Sequence, residues 1–353
     1  MDGGGQVLRC THVTTIPLES IGELTTVASR EAVVHAGLAV RRYDDLAPGE
    51  AHDVDGFAFR TLPEPGELLA TLATVNDVHF GETVCGVIEG SDIGPQLSSE
   101  PGEAPYPEVM NTAAVAEIGA LAPDAVLVKG DLTAGGTDEQ VDAFLACYSP
   151  LADRMTWVRG NHESHHGQQR GAVPVQVVDV EGARVVLLDS SVDGSEGGHL
   201  TADQIEEVDT LAAEADRPVL LMSHHHAWDP ASAERPEHYF GIDPDSSEAL
   251  VEVVARRPRI VAHLAGHTHR NRVRRFAATG DVPWVEVSCV KDYPGGWAEY
   301  RVHEGGILQV FHRISTPEAL TWTERTRHMF EGLYAEYAFG GVDDRNLVIP
   351  VRR

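Results

Sequence analysis

The sequence predicts an α/β chain in which two mixed β-sheets lie face to face with helices outside them, preceded by a small β-rich module. Three observations carry that reading. From Glu67 onward, strand-like apolar runs alternate with segments of helical spacing, as in parallel strands joined by helices. Between residues 271 and 314, strand-like runs follow one another without helices, which calls for further strands packed against the first group. Before Pro63 the runs are short, closely spaced and free of helical periodicity. With 353 residues, the chain can bury a large core.

The elements follow in order. Within residues 1–66 the short runs are 13–16, 24–27, 32–36, 38–40 and 57–61, and Pro63-Glu64-Pro65-Gly66 reads as the linker to a main body, residues 67–353. Residues 68–75 form a strand that delivers Asp77 and His79. Residues 81–107, rich in Gly, Pro and Ser, form a long loop. Residues 108–121 have helical spacing at Val109, Ala113, Ala116 and Ile118. Residues 125–128 are a buried strand ending at Gly130-Asp131. Thr137, followed by Gln140, caps a helix to about Cys147. Residues 155–158 are a strand ending at Gly160-Asn161-His162.

Glu181-Gly182 joins the runs 175–180 and 184–188 in a hairpin. Thr201 and Gln204 open an amphipathic helix to Ala215. Residues 218–222 lead into His224-His225-His226. A helix starts at Ser246 or Ser247 and runs to about Arg256. The strand 259–265 then bends at Gly266 into His267-Thr268-His269, and strands follow at 271–276, 284–287, 298–302 and 307–314. The last forty residues read as partly helical and packed back on the body.

Bulk properties exclude several classes. The net charge is 27 − 55 = −28, which repels phosphate backbones and disfavours stable nucleic-acid binding. No run of about 18 apolar residues exists, so no membrane span is expected. Met1-Asp2-Gly3-Gly4-Gly5 has neither a basic start nor an apolar core, and the expected location is cytoplasmic. Cys10, Cys85, Cys147 and Cys289 are far apart, which argues for buried reduced thiols rather than a disulfide framework or a thiolate zinc site.

The chemistry collects at strand ends. Asp77-Val78-His79, Gly130-Asp131, Gly160-Asn161-His162-Glu163, His224-His225-His226 and Gly266-His267-Thr268-His269 each follow an apolar run. Taken singly, each has an ordinary reading as a turn, a cap or an exposed histidine. Taken together, they offer carboxylates, imidazoles and one carboxamide without a thiolate, a donor set suited to Mn, Fe or Zn. There are too many donors for one tetrahedral ion and enough for two divalent or trivalent transition-metal ions sharing a carboxylate. Such a pair clamps phosphorus for in-line displacement, with a bridging hydroxide as nucleophile.

The ordered set Asp-x-His, Gly-Asp, Gly-Asn-His-Glu, His and Gly-His-x-His resembles the calcineurin-like metallophosphoesterase superfamily over roughly residues 70–290. Within it the chain is similar to the bacterial class III cyclic-nucleotide phosphodiesterases. The resemblance implies an α/β/β/α sandwich and two bound metal ions. It assigns Asp77, His79 and His269 to the first ion, Asn161, His224 and His267 to the second, and Asp131 to both. It makes His162 the catalytic residue that stabilises the transition state or protonates the leaving alkoxide. Glu163 is expected behind the ligands, orienting a histidine. Within the triplet, His224 is favoured as ligand because it sits nearest the strand end, His225 is the runner-up, and His226 faces substrate. Arg270 is a candidate for phosphate contact, whereas Arg272, Arg274 and Arg275 are expected on a solvated face.

The segment from Tyr43 to His52, followed by Phe59 and Thr61, resembles the ending of a fibronectin type III module. Such modules precede the catalytic domain in purple acid phosphatase relatives. His52 stands where they usually carry tyrosine, and the segment is short for a full module.

The expected activity is therefore a dinuclear-metal phosphodiesterase acting on cyclic nucleotides or other small phosphodiesters. A phosphomonoesterase or nucleotidase is the alternative within the same site. Asp131 is followed by Leu132-Thr133 with no tyrosine three residues on, which argues against the tyrosinate-coloured iron version. A DNA nuclease is disfavoured by the charge. A metal-binding scaffold with weak turnover is the alternative of another class. The expected partner is a small phosphoester, with a homodimer left open.

Overall fold

The structure, a computed structural model, describes residues 22–88 and 90–351. The strand expected at 13–16 and Cys10 lie outside these residues. The chain begins with β1 (Glu23–Val27), β2 (Ala32–Ala36) and β3 (Ala39–Tyr43), an antiparallel sheet, and a hairpin of β4 (Ala51–Val54) and β5 (Phe57–Arg60). β4 was not expected. It alternates exposed and half-buried residues and is too polar to stand out as an apolar run.

The first large sheet contains β6 (Leu68–Val75), β7 (Ala125–Lys129) and β8 (Met155–Val158), paired in parallel. The chain between them forms α1 (Tyr106–Leu121) and α2 (Asp138–Tyr148), and α3 (Asn161–His165) follows β8. Thr137 caps α2 as expected, accepting from the Gln140 amide.

The second large sheet is built from β9 (Val175–Val180), β10 (Ala183–Leu188), β11 (Val219–Ser223), β12 (Ile260–Ala265), β13 (Arg272–Arg275) and β14 (Pro283–Glu286). β10, β11, β12 and β14 are parallel, and β9 and β13 are antiparallel edges. α4 (Ala202–Glu214) carries the expected Thr201/Gln204 capping box. α5 (Pro244–Arg256) starts earlier than Ser246. Its cap is Asp243, which accepts from the Ser246 amide, and Pro244 takes the first turn, where its missing N–H costs nothing.

β15 (Gly296–His303) and β16 (Gly306–Arg313) return to the first sheet, which is completed by β17 (Leu347–Pro350) after α6 (Pro317–Thr326), α7 (Tyr334–Phe339) and α8 (Val342–Arg345). Strand order is β17-β16-β15-β6-β7-β8 in one sheet and β13-β14-β12-β11-β10-β9 in the other.

Burial fixes the layers. Leu72, Leu127, Val185, Leu220, Leu264 and Tyr300 form the core between the sheets. Ile118, Phe144, Trp322 and Tyr334 cover the outer face of the first sheet, and Val208, Leu250 and Val254 cover the second. Central strands are buried on both faces, which is why β7, β11 and β12 read as continuous apolar runs.

The N-terminal strands dock on the β16 side of the first sheet. Thr26 Oγ1 donates to the Phe311 carbonyl at 2.7 Å, and the buried Arg345 guanidinium donates to the Leu24 and Thr25 carbonyls at 2.6 and 3.2 Å. Glu23 pairs with Arg313 and Arg327, and Glu31 with Arg301. The Cys85, Cys147 and Cys289 thiols are free. Among the described residues no helix is long and apolar enough to cross a membrane.

Candidate metal centre

In open α/β sheets, ligands gather beyond the carboxyl ends of the parallel strands. Asp77 and His79 follow β6, Asp131 follows β7, Asn161 and His162 follow β8, His224 follows β11, and His267 and His269 follow β12. The two sheets face each other, so these ends converge. Turning the chain inward after β6, β7 and β12 requires an uncommon backbone. Asp77 (φ 54°), His79 (50°), Asp131 (50°), His267 (69°) and His269 (55°) are all left-handed. Such residues each cost about 1–3 kcal/mol and persist where surrounding structure imposes them.

The glycines supply close approach. A Cβ on Gly266 would lie 2.7 Å from Asp77 Oδ2, and one on Gly160 would lie 2.2 Å from Asp131 Oδ1.

Three donor groups result among the described residues. Asp77, His79, Asp131 and His269 present ligand atoms within 4.8 Å of one another, and so do His224, His225 and His267. The third is His269, Cys289 and Asp292, which shares His269 with the first. Asp131 links the first two, with its Oδ2 3.3 Å from His224 Nε2 and 3.6 Å from His79 Nε2. Asn161 Oδ1 is 3.0 Å from His224 Nε2, which in turn is 3.2 Å from His267 Nδ1.

Backbone carbonyls set the histidine tautomers. A carbonyl only accepts, so the nitrogen facing it carries the proton. His224 Nδ1 faces the Lys129 carbonyl at 2.8 Å, His267 Nε2 faces that of Phe240 at 2.6 Å, and His162 Nδ1 faces that of Ala134 at 2.9 Å. The remaining nitrogen of each is left to point inward, the arrangement that outer partners impose on metal-binding imidazoles.

The donor set fits metal ions. Asp77 Oδ1 and both ring nitrogens of His79 are buried without a hydrogen-bond partner, and buried polar atoms are otherwise almost always satisfied. Burial pushes His79 and His267 well below the ordinary imidazole range, toward the neutral form that binds a cation, whereas at His224 and His269 nearby acidic groups outweigh burial and raise the imidazole. Burial opposes charge on Asp131, but His224, by charge and hydrogen bond, and His162 outweigh it and hold the carboxylate ionised.

The other expected residues divide. His162 lines the cleft, its amide donating to Asp131 Oδ1 at 3.0 Å and its Nε2 3.9 Å from Asp131 Oδ2. Glu163 does not orient a histidine. It accepts from the Thr133 amide and hydroxyl and from the Gly160 amide, all at 2.7 Å, and so ties the β7 and β8 ends together. Both ring nitrogens of His225 are engaged, with Ser190 Oγ at 2.9 Å and the Glu196 carbonyl at 3.2 Å. This leaves His224 as the triplet member whose Nε2 faces Asp131. His226 is turned to Tyr239 OH at 3.0 Å and does not line the cleft. Arg270 does not line it either. Its guanidinium is committed to the buried Glu286 and lies over the Tyr337 ring.

The cleft has a volume of about 530 Å³. Its wall includes residues that the sequence reading missed: Glu82, Phe240, Lys291, Asp292, Tyr334 and Tyr337. Lys291 and Asp292 follow β14, which is parallel to β12, so they occupy the same topological position as the histidines. The available signal was a charged Lys-Asp pair a few residues beyond the apolar run 284–287. Asp292 Oδ2 lies 3.8 Å from His269 Nδ1, and its Oδ1 accepts from Tyr334 OH at 2.6 Å. Tyr337 OH donates to the Thr268 carbonyl at 2.9 Å. The C-terminal segment therefore braces the loop that carries His267 and His269.

These are the features of a metal-dependent hydrolase built on an α/β/β/α sandwich. The chain belongs to the calcineurin-like phosphoesterase family, whose model matches residues 70–271, more than half of its length. It is 29% identical over 210 residues to the 3′,5′-cyclic adenosine monophosphate phosphodiesterase CpdA of Pseudomonas aeruginosa, covering 53% of this chain and 72% of that protein. It is 25% identical over 170 residues to the glycerophosphodiester phosphodiesterase GpdQ of Enterobacter lignolyticus, covering 44% of this chain and 59% of that one. A dimetal phosphatase from Danio rerio shares the fold at a TM-score of 0.56 and 14% identity, over 81% of this chain and 100% of that one.

Proposed function

We propose that this chain is a dinuclear-metal phosphodiesterase acting on small phosphodiesters, with cyclic nucleotides the first class to screen. The observation that carries the reading is the pair of buried donor groups joined by Asp131. The names of the CpdA and GpdQ relatives support the diester class. In this reading Asp77, His79 and His269 would hold one ion, Asn161, His224 and His267 would hold the other, and Asp131 would serve both. Mn, Fe and Zn all suit these donors. When bound, the ions supply charge neutralisation at the phosphoryl oxygens and an activated water.

The chain's own residues do the rest. Asn161 offers a neutral oxygen, which limits the negative charge beside an anionic substrate. His162 has Nδ1 held by the Ala134 carbonyl, so its Nε2 is the atom presented to the cleft. In its protonated form Nε2–H gives its proton to the departing ester oxygen. The absence of a nucleic-acid partner belongs to the same proposal, on the strength of the −28 charge.

The test is a paired rate measurement with Mn²⁺-loaded protein on a chromogenic phosphodiester and its matching monoester. A diester preference is expected. A monoester preference would move the assignment to a phosphatase or nucleotidase, and two bound metals with turnover of neither would favour a binding protein.

A further inference from the structure

The mouth of the cleft has a chemistry that metal binding does not use. Phe240, Val87, Ile88 and Tyr337 line it, yet they are 55%, 56%, 47% and 45% exposed. Phe330 joins them, on a segment where Phe330 (φ 54°) and Glu331 (φ 57°) are both left-handed. Exposed apolar side chains gathered at one opening, on a chain of charge −28, mark a surface built for contact. The wall is anchored to the donor groups. The Phe240 ring lies 3.9 Å from the His267 ring, centre to centre, and Tyr337 is tied to the Thr268 carbonyl.

The interior is poor in free positive charge. Lys291 is the one lysine or arginine among the described residues lining the cleft, and both Glu82 oxygens already accept from it, at 2.7 and 2.6 Å. Glu196 and Asp292 add negative charge to the same wall. Two metal ions can balance one phosphodiester anion, but among the described residues no unpaired lysine or arginine lines the cleft to receive a second anionic group.

We propose that the cleft selects phosphodiesters carrying a single negative charge and a bulky apolar or aromatic ester group. Phe240, Phe330 and Tyr337 form the wall for that group, and the Glu82–Lys291 pair turns away a second anion. A cavity of about 530 Å³ falls within the range of small-molecule sites. This selectivity rests on the phosphodiesterase reading above.

The test holds the leaving group constant. The Mn²⁺-loaded full chain is assayed on three p-nitrophenyl diesters whose second ester group is methyl, benzyl or carboxymethyl. Benzyl should exceed methyl in kcat/KM by about tenfold or more, the factor for burying a ring of that size. Carboxymethyl should fall below methyl. Phe240→Ala, which keeps the main-chain carbonyl to His267, should shrink the benzyl-to-methyl ratio. Glu82→Gln, which removes the nearer of the two carboxylates paired with Lys291, should raise the carboxymethyl-to-methyl ratio severalfold. Ratios are read because general damage to the site cancels in them. Equal kcat/KM for methyl and benzyl, or ratios unmoved by both variants, would overturn the selectivity while leaving the phosphodiesterase reading intact. Failure to cleave any of the three would remove that reading and the selectivity with it.

Discussion

Replacing Gly160 by alanine adds one methyl group at the point where the β7 and β8 ends meet. Gly160 has φ −111° and ψ −166°, extended backbone open to any residue, so the substitution is conformationally free. Its cost is steric. The new Cβ would lie 2.2 Å from Asp131 Oδ1 and 2.4 Å from the Asp131 main-chain nitrogen. A backbone atom cannot swing aside, so the two strand ends must part by about 1 Å to reach ordinary contact at 3.4 Å. Overpacking of this kind costs about 1–3 kcal/mol of stability. Its larger effect is on geometry, because Asp131, Asn161 and His162 move relative to one another. A misplacement of about 1 Å lowers turnover on the order of a hundredfold. The assay is kcat on a chromogenic diester, with Mn²⁺ affinity by calorimetry and a thermal melt on the same samples. Gly119→Ala is the control. It lies within α1 with its nearest neighbour at 4.0 Å, and should stabilise the chain by about 0.5–1 kcal/mol. Wild-type turnover and metal affinity in Gly160→Ala would refute the placement of Asp131 and Asn161 in one site.

Four further outcomes are expected. His162→Ala should lower turnover about a hundredfold or more with metal content unchanged, and loss of a metal by elemental analysis would make His162 a ligand instead. Asp292→Asn should weaken Mn²⁺ binding about tenfold or more in calorimetric titration, because Asp292 faces His269 Nδ1, and an unchanged affinity would deny it that role. Glu299 is disfavoured as an anion by burial, but His312 and Arg301 outweigh this and draw its pKa from 4.5 to about 2. A depressed carboxylate stabilises the fold above its unfolded pKa and loses that contribution as pH falls from 4.5 toward 2, so Glu299→Gln should cost about 3 kcal/mol at neutral pH and progressively less in acid denaturant titrations. Deleting residues 1–66 should lower the melting temperature, since the buried Arg345 loses the Leu24 and Thr25 carbonyls. It should leave the cleft wall intact, as none of its lining residues precedes Glu82, and an unchanged melting temperature would show that this docking contributes nothing.

The sequence by itself determined the strand ends and the donor types. Apolar runs such as 68–75 and 260–265 are buried on one or both sides, so hydrophobic patterning reveals them, and Asp77, Asp131 and His267 follow directly. Capping chemistry was equally local, and Thr137 and Thr201 cap the helices that their spacing predicts. What only the tertiary structure decided involves partners far apart in the chain. That His224, and not its neighbours, faces Asp131 depends on which ring nitrogen meets Lys129, Ser190 or Tyr239, and no spacing encodes that. Arg270 looked free for phosphate until β14 brought Glu286 alongside it. Lys291, Asp292, Tyr334 and Tyr337 reached the cleft because β14 joins the second sheet in parallel and the tail folds back over its end. Sheet order and the return of the tail are set by the burial of whole faces, a property of the assembled layers that no local stretch of sequence displays.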